Sequence, residues 1–426
     1  MYKILSLDGG GIRGIISAVF LQEVEELLYN HYNIRLHEYF DLVAGTSTGS
    51  IIAAGIAVEK SADEIINLYI NNGNDIFFED IRDRRKIYWY KFISSSIFFF
   101  NRLISSFALY PHERNNRGLI NVLKDVLGPN RRISDIQQPI LFIPAYDVLS
   151  RNTTWFASNP NGTSAWFSNL ELWKICVSSA SAPTFFPPYP LPIPNNNTSA
   201  SENNSQELGH IDGGVSANNP SLSAISHVLE TTTHTLQDIA LLSIGCGLST
   251  KRFKSQEIKK WGSVQWAKNI PNMFLAPGAE NSEKICKKIL NSVNHNNHVN
   301  YLRLNFRLNK ELEGRYNRTV RDFLSEPYNE YLMQKYIDRY NTDKYIPRNE
   351  SEQLNDNWLE DEKYWVRKLQ YVYNKKFRLK EDIDDPELCP SLIEATIAYI
   401  NYNINNSNIS VREQINNFII NNPPNL

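Results

Sequence analysis

The chain has 426 residues, 42% of them hydrophobic and 12% aromatic, with a formal net charge of −2. That is enough apolar material for two domains, or for one large α/β domain with an appendage. The near-neutral charge lacks the basic surplus of a nucleic-acid-binding domain, so no nucleic-acid partner is expected.

Residues 4–7 read as a short apolar strand that ends at Asp8-Gly9-Gly10-Gly11-Ile12-Arg13-Gly14. Residues 15–28 then carry apolar positions at helical spacing. The chain enters this strand from Met1 without a charged lead and a long apolar stretch, so no signal peptide is expected. Two readings stand for the glycine turn. Gly9-x-Gly11-x-x-Gly14 matches a phosphate-cradling dinucleotide fingerprint. However, residues 29–39 show no second strand ending in an acidic residue. The other reading is an oxyanion hole made of backbone N–H groups. Arg13 either supports that loop or is a surface helix arginine.

Residues 42–44 form a second buried strand, which runs into Gly45-Thr46-Ser47-Thr48-Gly49 and then into an apolar helix over 51–57. Strand, G-x-S-x-G and helix are the context of a nucleophile elbow, with Ser47 at its tip. Ser47 as a plain helix N-cap is the bland alternative.

Residues 61–93 read as helical and increasingly charged, with Arg82, Arg84, Arg85 and Lys86 clustered. Residues 88–104 are unusually aromatic, suited either to packing under a lid or to a membrane interface. Residues 118–127 make an amphipathic helix closed by Gly128-Pro129. Residues 139–147 read as a buried strand, and 172–182 as a small-residue helix stopped at Pro183. Phe185 to Pro190 form a rigid aromatic stretch that suits a pocket wall. Residues 194–207 are a polar, patternless loop.

Asp212 ends a strand at Gly213-Gly214, where a carboxylate serves as a turn-former or a general base. Residues 239–245 read as the last core strand. Beyond 250 the pattern becomes helical and polar. The four cysteines, Cys176, Cys246, Cys286 and Cys389, are far apart with no Cys-x-x-Cys. Neither a zinc site nor a redox pair is indicated, and reduced thiols in a cytoplasmic setting are expected. No run reaches the ~18 apolar residues of a membrane span.

Alternating strands and helices predict a largely parallel sheet flanked by helices on both faces, with chemistry at the carboxyl ends of the strands. Asp8, Ser47 and Asp212 all lie where a strand gives way to glycine. Of the histidines (His31, His37, His112, His210, His227, His234, His295 and His298) only His210, two residues before Asp212, is placed to support the site. The simpler base for Ser47 is Asp212 itself, which needs desolvation to raise its pKa.

Asp8-Gly9-Gly10-Gly11-Ile12-Arg13-Gly14, Gly45-Thr46-Ser47-Thr48-Gly49 and Asp212-Gly213-Gly214 resemble, in order, the three signatures of the patatin-like phospholipases. Ser179-Ala180-Ser181-Ala182-Pro183 and Asn218-Asn219-Pro220 are similar too. The resemblance spans residues 1–330, with a core over 1–250 and a helical cover over about 251–345. Residues 346–426 form a helical accessory region outside it. It implies a three-layer α/β/α fold and a serine acyl hydrolase that cleaves phospholipid or lysophospholipid esters without metal or cofactor. Ser47 would be the nucleophile and Asp212 the proton acceptor. Gly9, Gly10, Gly11, Arg13 and Thr48 would form the oxyanion hole. Membrane phospholipids are the implied partner, met at the membrane surface. Intracellular bacterial members act as membrane-degrading effectors under a small-molecule or protein activator, a role the resemblance admits. A nucleotide-binding or interaction module without hydrolase activity is the rival.

Overall fold

The structure is a computed structural model that describes residues 1–81, 109–158, 165–192, 207–249, 258–259, 261–293, 299–308, 381–401 and 409–425. The basic cluster at 82–86, the aromatic stretch at 88–104, most of the polar loop at 194–207 and residues 346–380 lie outside the described residues.

The described strands are β1 (Tyr2–Leu7), β2 (Leu42–Gly45), β3 (Ile140–Asp147), β4 (Asn152–Ala157), β5 (Tyr189–Pro192), β6 (Glu207–Asp212), β7 (Ile239–Ile244) and β8 (Tyr301–Leu304). They form one sheet in which hydrogen-bonded neighbours run β5-β6-β3-β2-β1-β7-β8, with β4 also paired to β3. The run from β3 through β2, β1 and β7 to β8 is parallel. The β4, β5 and β6 pairings are antiparallel. The sheet is therefore mixed: a parallel centre with an antiparallel flank. β7 is not the last core strand, because β8 pairs beyond it. Its four residues are too short to stand out in a polar region.

Strand residues alternate between two cores, as a pleated backbone requires. Leu5, Leu7, Val43, Leu141 and Leu242 face one cluster, and Ile4, Leu42, Ala44, Phe142 and Leu241 face the other. The first face is covered by helices α1 (Gly14–Tyr32), α2 (Thr48–Ala57), α3 (Ala62–Ile76), α4 (Leu119–Leu127) and α5 (Leu172–Ala180). The second is covered by α6 (Ser221–Thr231) and α7 (Ser263–Ser292). This is a three-layer α/β/α arrangement.

The C-terminal helices α8 (Cys389–Asn401) and α9 (Val411–Asn421) share the first core through Leu392, Ala395, Ile415 and Phe418. Helix α9 starts at a capping box, in which Ser410 Oγ accepts from the Glu413 amide and Glu413 accepts from the Ser410 amide. Arg412 then reaches Glu23 and Glu26 of α1, each at 2.8 Å. These ends of the chain are packed against its beginning.

One detail of the sheet positions the site. Phe142 pairs with Ala44 of β2 and with Ala157 of β4, so β2 and β4 occupy opposite edges of β3. β4 continues along its edge to Asp147, so β6, paired at 145–147, must lie on the β2 edge. β2 and β6 therefore share one edge of β3 and run towards each other. Gly45 ends one strand and Asp212 ends the other, opposite Ala145.

Candidate active site

β2 leaves the sheet at Gly45 and enters α2 through a turn of minimal width. A Cβ on Gly45 would stand 2.1 Å from the carbonyl oxygen of Gly49, and one on Gly49 would stand 2.4 Å from that of Leu7. No side chain fits either place, which is why both flanking positions are glycine. Ser47, between them, is held at φ 54° and ψ −122°, a strained backbone for a residue with a Cβ. Its amide donates to Ser179 Oγ at 3.0 Å.

The head-on approach of β2 and β6 brings Ser47 to Asp212. Ser47 Oγ donates to Asp212 Oδ2 at 2.6 Å, and the Gly214 amide donates to Asp212 Oδ1 at 2.7 Å. The Asp212 amide itself donates to the carbonyl of Ser181 at 3.0 Å. Both side chains are buried. Burial pushes the Asp212 carboxyl up to about 6, against the hydrogen bonds from Ser47 and Gly214, which favour the ionised form.

The glycine turn after β1 lies against this pair. A Cβ on Gly9 would be 3.1 Å from Ser47 Cβ. The amides in the turn are not equivalent. That of Gly9 donates to the Asn218 carbonyl at 3.0 Å and that of Ile12 to the Ile383 carbonyl at 2.8 Å. Gly9, expected in the oxyanion row, therefore has its N–H committed elsewhere. The amides of Gly10, Gly11 and Thr48 have no acceptor among the described residues.

Arg13 is not a surface helix arginine. It is buried beside the turn, and its Nε and Nη1 have no hydrogen-bond partner among the described residues. Burial lowers its pKa, opposed by Cys246, Glu381 and Asp382 close by. Gly14 packs under Thr48 and Tyr69, whose hydroxyls are hydrogen-bonded to each other.

Asp8 does not face the nucleophile with a free carboxylate. Arg303 grips it at both oxygens, Nη1 to Oδ1 at 2.9 Å and Nη2 to Oδ2 at 2.5 Å. Burial works against the charge of Arg303, but the Asp8 carboxylate and Glu283 hold its pKa above the ordinary value. Arg303 Nη1 also donates to Ser243 Oγ, which is bonded to Ser221 Oγ, so the pair ties the turn to β7 and α6. Asn219, anchoring the next loop, accepts from Ser221 and Ser282.

His210 is not brought to Ser47 and Asp212. Its Nε2 lies 2.9 Å from Thr154 Oγ1 and its Nδ1 lies 3.2 Å from the Leu208 carbonyl, with the ring among Phe156 and Trp166. The residues missed in the sequence are Arg303 and His112. His112 Nε2 is 2.9 Å from Ser181 Oγ, and its ring stacks on Phe186. Burial lowers its pKa to about 4, so it is neutral at ordinary pH. A cation in the short strand Leu302-Arg303-Leu304 was the one signal available for Arg303; nothing local marks His112.

Asp8, Ser47 and Asp212 all line one cavity of about 480 Å3, along with Ile51, Ile76, Phe77 and Phe185. Its walls are mainly apolar, with the polar groups gathered at Ser47, Asp212 and the glycine turn, as in pockets that take an apolar ligand. The four cysteines are all buried and free. No described helix is long and apolar enough to cross a membrane.

A buried serine bonded to a carboxylate, at an elbow of a three-layer α/β sheet and at the wall of an apolar cavity, defines the class: a serine esterase of the phospholipase type. The model of the family described as "Patatin-like phospholipase" matches residues 5–225, and the chain belongs to that family. Among its relatives, "Probable inactive patatin-3-Kuras 1" of Solanum tuberosum is 27% identical over 71% of this chain and 78% of its own length. "Patatin-like protein 2" of Oryza sativa subsp. indica is 28% identical over 66% of this chain and 71% of its own. The crystal structure of VipD from Legionella pneumophila matches at a TM-score of 0.29 and 11% identity, covering 93% of this chain and 85% of that one. Membership rests on the family match to the sequence.

Proposed function

We propose that this protein cleaves carboxylic esters of membrane phospholipids or lysophospholipids by a Ser47–Asp212 dyad, through an acyl-enzyme. The observation that carries the reading is the 2.6 Å hydrogen bond from Ser47 Oγ to Asp212 Oδ2 at the wall of an apolar cavity. At neutral pH the Asp212 carboxylate is mostly ionised yet far more basic than an exposed aspartate. It takes the hydroxyl proton as Ser47 Oγ attacks the ester carbonyl. The new oxyanion is received by the amides of Gly10, Gly11 and Thr48, with Arg13 adding positive potential from below the turn. Asp212 returns the proton to the departing alcohol. Water, activated by the same carboxylate, then releases the fatty acid. The acyl chain lies along the apolar wall formed by Ile51, Ile76 and Phe77.

The glycine turn is less suited to the rival reading. A phosphate would need its amides, yet those of Gly9 and Ile12 are already bonded to Asn218 and Ile383.

The test is release of fatty acid from defined liposomes, followed by mass spectrometry, together with fluorophosphonate labelling. The wild type is expected to release fatty acid and to label at Ser47. Ser47→Ala should lose turnover by several orders of magnitude. An unlabelled Ser47, or full activity in Ser47→Ala, overturns the proposal. Action at the membrane surface as a regulated effector belongs to the same reading. Its test is the rate with and without cyclic oligonucleotides; equal rates remove that form of control.

A further inference from the structure

The far C-terminal segment 381–388 lies well beyond the stretch that matches the family, yet it touches the turn where the chemistry is expected. The Ile383 carbonyl accepts from the Ile12 amide at 2.8 Å. The same oxygen would be 2.2 Å from a Cβ on Gly11, whose φ is +59°. Ile383 also lines the cavity that holds Ser47 and Asp212.

The segment is anchored on both sides of that contact. Asp384 Oδ2 accepts from the buried Tyr110 hydroxyl at 2.9 Å. Glu381 is hydrogen-bonded to Ser249, and Pro386 packs on Gly73 of α3. Glu381 and Asp382 also stand within electrostatic reach of the buried, under-bonded Arg13.

We propose that the main-chain carbonyl of Ile383 is a positioning group for the oxyanion turn, and that segment 381–388 is part of the active site. By capturing the Ile12 amide it fixes the 3-10 turn Gly11–Arg13. It thereby decides that the amides left to receive an oxyanion are those of Gly10 and Gly11. A displaced carbonyl would leave Ile12 free to compete and the turn free to rotate. Small misplacements of such donors cost up to about 10²-fold in rate.

This inference rests on the hydrolase reading of the same site, so the wild type is measured first on a p-nitrophenyl butyrate substrate. An inactive, unlabelled wild type would defeat that reading and leave nothing for the segment to position. With activity in hand, three full-length variants are compared. A Gly-Gly insertion between Ile383 and Asp384 breaks the register between the Tyr110 anchor and the Ile12 bond. Tyr110→Phe removes the anchor alone. Glu230→Ala alters an exposed position on α6, away from both the segment and the cavity, and serves as control.

The insertion is expected to lower kcat by 10- to 100-fold and Tyr110→Phe by several-fold. KM should be little changed, and Glu230→Ala should match the wild type. Hydrogen exchange in the peptide spanning residues 9–16 should quicken in step with the fall in kcat. A merely structural role would lower the melting temperature without this kcat-specific loss. Folded insertion and Tyr110→Phe variants with wild-type kcat overturn the proposal. Should the insertion fail to fold, an unchanged kcat in Tyr110→Phe alone overturns it.

Discussion

Asp212 sets an opposition between activity and stability at a single residue. Its carboxyl is raised to about 6 by burial, from an ordinary value near 3.8. In the dyad reading it must be ionised to accept the serine proton, so kcat/KM should fall about tenfold per pH unit below pH 6 and level off above it. A raised carboxyl has the opposite effect on stability. The protonated form suits the folded state, and that advantage is lost as pH rises from about 4 through 6. At pH 8 the buried charge costs on the order of 3 kcal/mol. Asp212→Asn should therefore abolish turnover yet melt higher than the wild type at pH 8, with the gap closing near pH 4. Thermal melts at the two pH values check this. Ser47 carries a second cost, a backbone strain of roughly 1–3 kcal/mol. Ser47→Gly and Ser47→Ala should both be inactive, but the glycine variant should be the more stable by about 1 kcal/mol in urea unfolding.

At the scale of elements, the turns were legible and the pairings were not. The strand–glycine–helix units at Asp8 and Ser47 show in the sequence because each needs small residues at fixed places. Gly45→Ala should accordingly cost several kcal/mol and leave little folded protein, since its Cβ would sit 2.1 Å from a main-chain oxygen. Soluble yield and melting temperature measure it. The direction of β6 could not be read. Asp212 was expected at the end of a strand in a largely parallel sheet, and it does end one, but that strand is antiparallel and meets β2 head-on. Strand direction depends on long-range pairing, which leaves no local mark. β5 hid for another reason: Pro190 and Pro192 argue against a strand, and it forms only at the end of the sheet, where missing donors are tolerated. The Ser47–Asp212 contact was legible through the glycines that flank both residues. Arg303 was not, because its partner Asp8 lies in a distant part of the chain.

For the molecule as a whole, the accessory region read after residue 346 has at least two helices in the main core. Phe418 is fully buried there, so Phe418→Ala should cost about 3–5 kcal/mol and lower the melting temperature markedly. An independent appendage would barely respond. The closure of the chain on itself bears on how the protein is made. Serine, carboxylate and glycine turn all precede residue 215, whereas Ile383 and the helices that pack on α1 follow residue 380 and are made later. A partly synthesised chain carries Ser47 and Asp212 before the Ile383 carbonyl that bonds the Ile12 amide. Under the role proposed for Ile383, the turn would gain its full order only once that later segment has folded onto it.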